Sequence, residues 1–212
     1  MTLKAVPRSD LIRRAARRHF LLHGYDGASM RDIAADAGIT IATLYFHCGT
    51  KEQLLFDVLE ERTQELLSGS QAAVAQAQGD TWAPRLRAAI QFLVDFVTRG
   101  DEGAAISTSE LRGLTGELRE RHLATRDAYE HHLRDLLQCG IAAREFEPVD
   151  VPVIVAGIIG MGLAVGRWYR PHGRLTAAQV AEEYVAFTLR GLGVSGASAA
   201  GRASPGNGTT AR

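Results

Sequence analysis

The chain has 212 residues, 46% of them hydrophobic and 23% charged, enough to bury one sizeable core or a small and a medium domain. Its formal net charge is zero, which taken alone argues against a nucleic-acid partner. Two widely spaced cysteines, Cys48 and Cys139, exclude a disulfide framework and a cysteine zinc site and make a reducing cytoplasm the default compartment. The zero hides an asymmetry. Residues 1–51 carry Lys4, Arg8, Arg13, Arg14, Arg17, Arg18, Arg31 and Lys51 against Asp10, Asp26, Asp32 and Asp36, a balance of +4, so the remainder carries −4. A basic head on an acidic body suits DNA binding through one end of the molecule, because phosphate neutralisation needs only local positive charge. A solvated helix face accounts for the arginines alone equally well.

In chain order, residues 1–8 read as a loose arm with no apolar run ahead of the arginines, so no signal peptide is expected. Ser9 is placed to cap a first helix whose apolar side holds Leu11, Ile12, Ala15, Ala16, Phe20 and Leu21, ending at Gly24. Residues 29–51 then pack three helix starts and two glycine stops into one short stretch. Ser29 caps a short helix with Ile33, Ala34 and Ala37 on one face, ending at Gly38; Thr40 caps a second through Leu44; Gly49 and Thr50, with Gln53 three residues on, open a third through a capping box. Two short helices joined by Ala37-Gly38-Ile39-Thr40 have the length and the glycine of a helix-turn-helix, whose second helix reads the DNA major groove.

A connecting helix follows from Thr50 toward Gln78, then a helix over 81–98, a turn at Arg99-Gly100-Asp101, a short segment over 104–114 and a long helix over about 116–144. The stripe of that long helix (Leu118, His122, Thr125, Tyr129, Leu133, Leu136, Gly140) is apolar only from Tyr129 onward. Asp150 and Pro152 start a glycine-rich helix. Its 151–166 run of 16 nearly uncharged residues is too short to span a bilayer and reads as a buried helix, with no membrane partner expected. Ala156, Gly160 and Ala164 are four apart, as are Gly162 and Gly166, spacings that let another helix come close in a dimer or core contact. Thr176 caps a last helix with Val180, Tyr184 and Phe187, and 194–212, small and polar throughout, should be disordered. The class is all-α: a helix-turn-helix domain over 9–50 and a second helical domain over 51–193.

On the second helix of the motif, Ile41, Thr43, Tyr45 and His47 are expected outward, with Leu44 and Cys48 turned inward beside Ile39. Thr43 suits a base edge, a phosphate or a thymine methyl, while Tyr45, His47 and Lys51 suit phosphate oxygens. No Arg, Asn or Gln is present there for a bidentate base contact, so apolar contacts, water and DNA shape should carry part of any specificity.

The segment LIRRAARRHFLLHGYDGASMRDIAADAGITIATLYFHCGTKEQLL resembles the DNA-binding domain of TetR-family transcriptional regulators. The resemblance rests on Ala16 and Phe20, Gly24-Tyr25, Ser29 with Asp32-Ile33-Ala34, Ala37-Gly38, Leu44-Tyr45-x-His47 and Lys51-Glu52-x-Leu54. Ala42 and Cys48 depart from the more common Gly and Phe, and Cys48 removes aromatic volume from the small core. The resemblance implies an all-helical homodimer whose paired heads read the half-sites of a double-stranded DNA operator. It implies a DNA-binding set of Ser29, Arg31, Thr40, Ile41, Thr43, Tyr45, His47 and Lys51. The dimer contact is expected at Ala156, Gly160 and Ala164, with Tyr184 and Phe187.

Residues 150–192 also resemble the last two helices of family members that govern acyl-CoA catabolism, through Trp168, Tyr169, Pro171, Gly173, Leu175 and Thr176. That makes an acyl-CoA the candidate small-molecule effector. Its phosphates would take Arg112, Arg126, Arg167 and Arg170, with Tyr129 and Trp168 beside the ligand. A drug-sensing repressor of an efflux gene and a small helical enzyme or carrier remain open. No cofactor is expected, nor a metal, since His131 and His132 are adjacent on a helix and do not converge; His122 and His172 with Asp127 and Asp135 add no ligand spacing. Glu182-Glu183 and Glu145 with Glu147 resemble catalytic carboxylate pairs only in number, and no nucleophile motif accompanies them.

Overall fold

The computed structural model describes residues 7–99 and 110–194. Most of the expected N-terminal arm, the turn after Arg99, the start of the 104–114 segment and nearly all of the expected disordered tail lie outside the described residues. Among those described there are eight α-helices, one 3-10 turn and no strand: α1 (Arg8–Gly27), α2 (Met30–Asp36), α3 (Ile41–Cys48), α4 (Lys51–Gln76), α5 (Trp82–Thr98), the 3-10 turn (Glu110–Gly113), α6 (Gly116–Ala142), α7 (Val151–Trp168) and α8 (Ala177–Gly191).

Local chemistry sets most of the boundaries. Thr40 accepts from the Thr43 N–H at 3.1 Å, Asp150 from Val153 at 3.1 Å and Thr176 from Gln179 at 3.2 Å, each satisfying a backbone donor that a helix start leaves free. Three expectations need correction. The first helix begins at Arg8 behind Pro7, not behind Ser9: the Pro7 carbonyl already accepts from Asp10 and Leu11, and the Ser9 hydroxyl turns to Asp10. Ser29 holds the N-cap position of α2, yet its side chain makes no capping bond. The capping box at Thr50 is only half formed, because the Gln53 amide reaches forward to Asp57 at 2.8 Å; the complete box belongs to Thr176 and Gln179.

Two apolar cores result. The head core joins Ile12, Ala15, Ala16 and Phe20 of α1, Ile33 and Ala34 of α2, and Leu44 and Cys48 of α3 with five residues of α4 between Leu54 and Leu59; Leu114, beyond the 3-10 turn, completes it. The body core is built from α4 through α8 around Leu86, Leu93, Leu133, Leu137 and Val185. Helix α4 belongs to both, packing on α1, α3, α5 and α6.

The glycine-rich helix is not buried, contrary to its apolar composition. Only 22% of α7 is buried, and at 18 residues it is long and apolar enough, by length and composition, to cross a membrane. One face packs on α5 and α6 through Val155, Ile158, Gly162 and Val165. A β-carbon at Gly162 would stand 2.2 Å from Leu93, so that glycine is required by the approach of α5. The opposite face carries Val153, 63% exposed, with Ala156, Gly157 and Gly160 in the open. Small residues all round the helix conceal which side is covered, so its periodicity could not separate the two faces.

Candidate nucleic-acid interface

The turn between α2 and α3 is held by glycine in a conformation that other residues adopt at a cost. Gly38 has φ +69°, and behind it the Ile39 N–H returns to the Ala34 carbonyl at 2.9 Å, closing the end of α2. The chain reverses in four residues and α3 starts at once on the Thr40 cap. Leu44 and Cys48, one turn apart, anchor α3 to the head core at 0% and 6% exposure. The Cys48 thiol donates to the Leu44 carbonyl at 3.2 Å, and burial, with Asp57 adding to it, raises its pKa above the ordinary value. It is a packing residue, inert as a nucleophile.

Everything else on α3 faces outward. Ile41 is 41% exposed, Tyr45 46% and Phe46 87%; His47 is exposed and meets the Phe46 ring edge-on, with ring centroids 5.8 Å apart. Thr43 is half-buried, its hydroxyl 2.9 Å from that of Thr40. Lys51, at the start of α4, lies across the Tyr25 ring at 4.7 Å and donates to the Asp26 carbonyl at 3.3 Å. This arrangement holds its ammonium against the end of α1. Arg31 is exposed on α2 and Ser29 half-buried behind it. The structure therefore sets Thr40, Ile41, Thr43, Tyr45 and His47 along the start and length of α3, with Lys51 opening α4, Arg31 on α2 and Ser29 at its N-cap.

Phe46 is the residue that sequence reasoning missed. Its signal was helical phase: it lies four residues after exposed Ala42 and 200° around the helix from buried Leu44.

The basic charge of the head is partly spent internally. Arg13 pairs with Asp10 and Glu61, Arg17 with Glu61, and Arg18 with Asp36. Arg14 and Arg31 are exposed and make no ion pair among the described residues.

The body residues expected to meet a ligand are spread over the 3-10 turn, α6 and the end of α7. Arg112 is exposed in the 3-10 turn against the head. Arg126 is half-buried on α6. Arg167 and Trp168 end α7, with Arg170 just beyond, its guanidinium folded back onto the Tyr169 carbonyl at 2.8 Å. Tyr129 is deep in the body core at 4% exposure, its hydroxyl without a hydrogen-bond partner among the described residues, and burial raises its pKa far above the ordinary tyrosine value. Open grooves among the described residues lie elsewhere, including about 360 Å³ beside Val74, Trp82, Arg85 and His132, about 380 Å³ beside Gln91, Phe92, Ala181 and Glu182, and about 680 Å³ beside Arg13, Phe56, Glu60 and Gln64.

Three of the histidines and one acid of each pair have structural partners. His122 Nδ1 lies 3.3 Å from Glu60, His132 Nε2 3.1 Å from the Ser70 hydroxyl, and His131 Nδ1 2.7 Å from the Asp127 carbonyl. Glu182 holds Arg87 and Gln91, and Glu145 accepts from the backbone N–H of Trp82.

Two families match the chain: residues 12–58 match one described as bacterial regulatory proteins, tetR family, and residues 79–192 one described as tetracyclin repressor-like, C-terminal domain. The HTH-type transcriptional repressor KstR2 of Mycolicibacterium smegmatis is 29% identical over 189 residues, covering 87% of this chain and 90% of that protein. Among solved structures, AibR in complex with isovaleryl coenzyme A and operator DNA superposes with a TM-score of 0.77 at 32% identity, over 85% of this chain and 97% of that one. The ketosteroid transcriptional regulator KstR2 of Mycobacterium tuberculosis superposes with a TM-score of 0.77 at 25% identity, over 89% and 96%.

Proposed function

The chain belongs to the TetR family of bacterial regulatory proteins, as a ligand-responsive transcriptional repressor rather than an enzyme, and from that membership we propose that it acts as a homodimer on a palindromic operator and is released by an acyl-CoA thioester. The observation that carries the DNA-binding part is α3 itself: anchored by Leu44 and Cys48 alone, it leaves Ile41, Tyr45, Phe46 and His47 exposed, with Thr43 half-buried among them. In a major groove Thr43 and Phe46 would lie against bases and sugars, and the Tyr45 hydroxyl would reach a phosphate oxygen. His47, Lys51, Arg31, Ser29 and the capped start of α3 at Thr40 would meet phosphates.

The dimer is assigned to the outer face of α7, through Ala156, Gly160 and Ala164, with Tyr184 and exposed Phe187 of α8. Support comes from Gly157 and Gly160: a β-carbon at either meets nothing within 4 Å inside the protomer, so no internal packing requires glycine there. A glycine in mid-helix costs about 1 kcal/mol relative to alanine, and a second copy closing on that face gives the cost a purpose. The effector reading rests on likeness to a regulator solved with isovaleryl coenzyme A. Arg112, Arg126, Arg167 and Arg170 are the cations available for its phosphates, and Tyr129 and Trp168 the aromatic contacts. Since DNA lies there, the cytoplasm is the expected compartment.

An electrophoretic shift with DNA flanking its own gene tests the first part: binding should be sequence-selective and weaken steeply with salt. Acyl-CoAs and cationic drugs added to that complex test the second. Release and a raised Tm with a thioester are expected; release by the drugs alone would move the assignment to an efflux regulator.

A further inference from the structure

The Tyr129 hydroxyl is a strong hydrogen-bonding group buried in the wrong company. It sits in a core whose other buried members are almost all Leu, Ile, Val, Ala and Phe, and it has no partner among the described residues. Polar groups buried as deeply as this are nearly always paired, and one left alone works against the fold. Tyrosine gives the body no packing that phenylalanine would not. The polar tip is therefore the part needing a partner, and the body is where an effector enters.

Resting on the effector reading above, we propose that Tyr129 is a specificity-determining residue for the ligand, donating its phenolic hydrogen to a carbonyl oxygen carried into the apolar core, and that this carbonyl is the thioester C=O. The chemistry is selective in one direction. A carbonyl accepts and cannot donate, and the tyrosine phenol, un-ionised near neutral pH as any tyrosine is, supplies the missing donor. A ligand of the same shape without that oxygen fills the same space but leaves the hydroxyl alone, so the site rejects it by the unmade bond. The amide carbonyls of the pantetheine arm offer the same acceptor, and a thioether separates the two sources because it keeps the amides and lacks the thioester oxygen.

The experiment uses the full chain with isovaleryl-CoA, octanoyl-CoA and their S-alkyl thioether counterparts, measured by calorimetry on the wild type and on Tyr129→Phe, with the Tm of both ligand-free proteins. The expected result is a wild type that binds the better thioester about tenfold tighter than its thioether, a preference that Tyr129→Phe loses by weakening the thioester alone. The ligand-free variant should melt no lower than the wild type, since it deletes a hydroxyl that has no partner. Equal binding of the thioester by both proteins, or a wild type indifferent to the carbonyl, overturns the proposal while leaving the acyl-CoA reading standing. A variant that melts well below the wild type overturns it too, because the hydroxyl would then already be satisfied. No binding of any of the four CoA compounds removes the effector reading, and this proposal with it.

Discussion

Leu44 and Cys48 determine what α3 can show to DNA. With only those two residues turned inward, the helix offers Ile41, Ala42, Tyr45 and Phe46 as a nearly continuous apolar surface, bordered by Thr43 and His47. Such a surface distinguishes bases chiefly by the thymine methyl and by groove shape, since it holds no bidentate donor. Thr43→Val should therefore keep the methyl contact, lose the hydroxyl bond to Thr40 and change operator preference in a binding-site selection. An unchanged profile would remove Thr43 from the base contacts. Lys51→Ala should weaken all DNA sequences alike and lower the slope of log affinity against log salt by about 1. Tyr45→Phe should cost roughly 1 kcal/mol on every operator if its hydroxyl bonds a phosphate. The inward residues were legible in the sequence because leucine and cysteine four apart make a simple helical stripe. Phe46 was not: expecting every second residue from Ile41 to face outward imposes a strand-like step on a helix, and a 3.6 period turns Ala42 and Phe46 outward as well.

At the scale of elements, α4 is held to α6 by two carboxylates eight residues apart on the same side of the helix. Glu52 accepts from the Thr115 backbone N–H at 2.6 Å and from its hydroxyl at 2.9 Å. Two turns on, Glu60 accepts from the Thr125 hydroxyl at 2.6 Å and lies 3.3 Å from His122. This explains why the α6 stripe is polar in its first half: those residues face a carboxylate, which no single-helix pattern reveals. Glu60→Ala should leave effector binding intact but raise about fivefold the effector concentration needed to release DNA, read by calorimetry against a shift assay. The same clasp carries a pH dependence. His122 has its pKa lowered below 6.5, mainly by burial, against the opposing pull of Glu60 and with a lesser lowering from Arg126; burial also lowers His132, opposed by Asp135. Both bind protons more readily in the unfolded chain, so stability is greatest above the unfolded value and falls as pH drops through about 6.5 toward the folded values. Tm should be lower at about pH 5.5 than at pH 7.5, and His122→Asn should flatten that difference.

For the whole molecule, the two neighbouring glycines of α7 make opposite predictions. Gly162→Ala drives a methyl into Leu93 and should lower stability by about 1–3 kcal/mol without altering the oligomer. Gly160→Leu points into open space in the protomer and should leave the fold intact, while reducing the mass seen by light scattering from a dimer to about 22.9 kDa and weakening operator binding. A dimer undiminished by Gly160→Leu would place the interface elsewhere. All-helical architecture, helix order and the helix-turn-helix were legible because caps and glycines mark them locally. Which side of α7 lies open depends on its packing against α5 and α6, which its own residues do not encode.

The head also borrows from far down the chain. Leu114 completes its core, and Gly113 lies so close that a β-carbon there would stand 2.6 Å from the Tyr25 ring and 2.7 Å from Leu55. A reader of DNA cut out at the end of the helix-turn-helix would leave an open socket where that leucine belongs. Anyone grafting this head onto another sensor would need to transplant the plug as well as the socket, or choose a recipient whose own corresponding segment fits the hole.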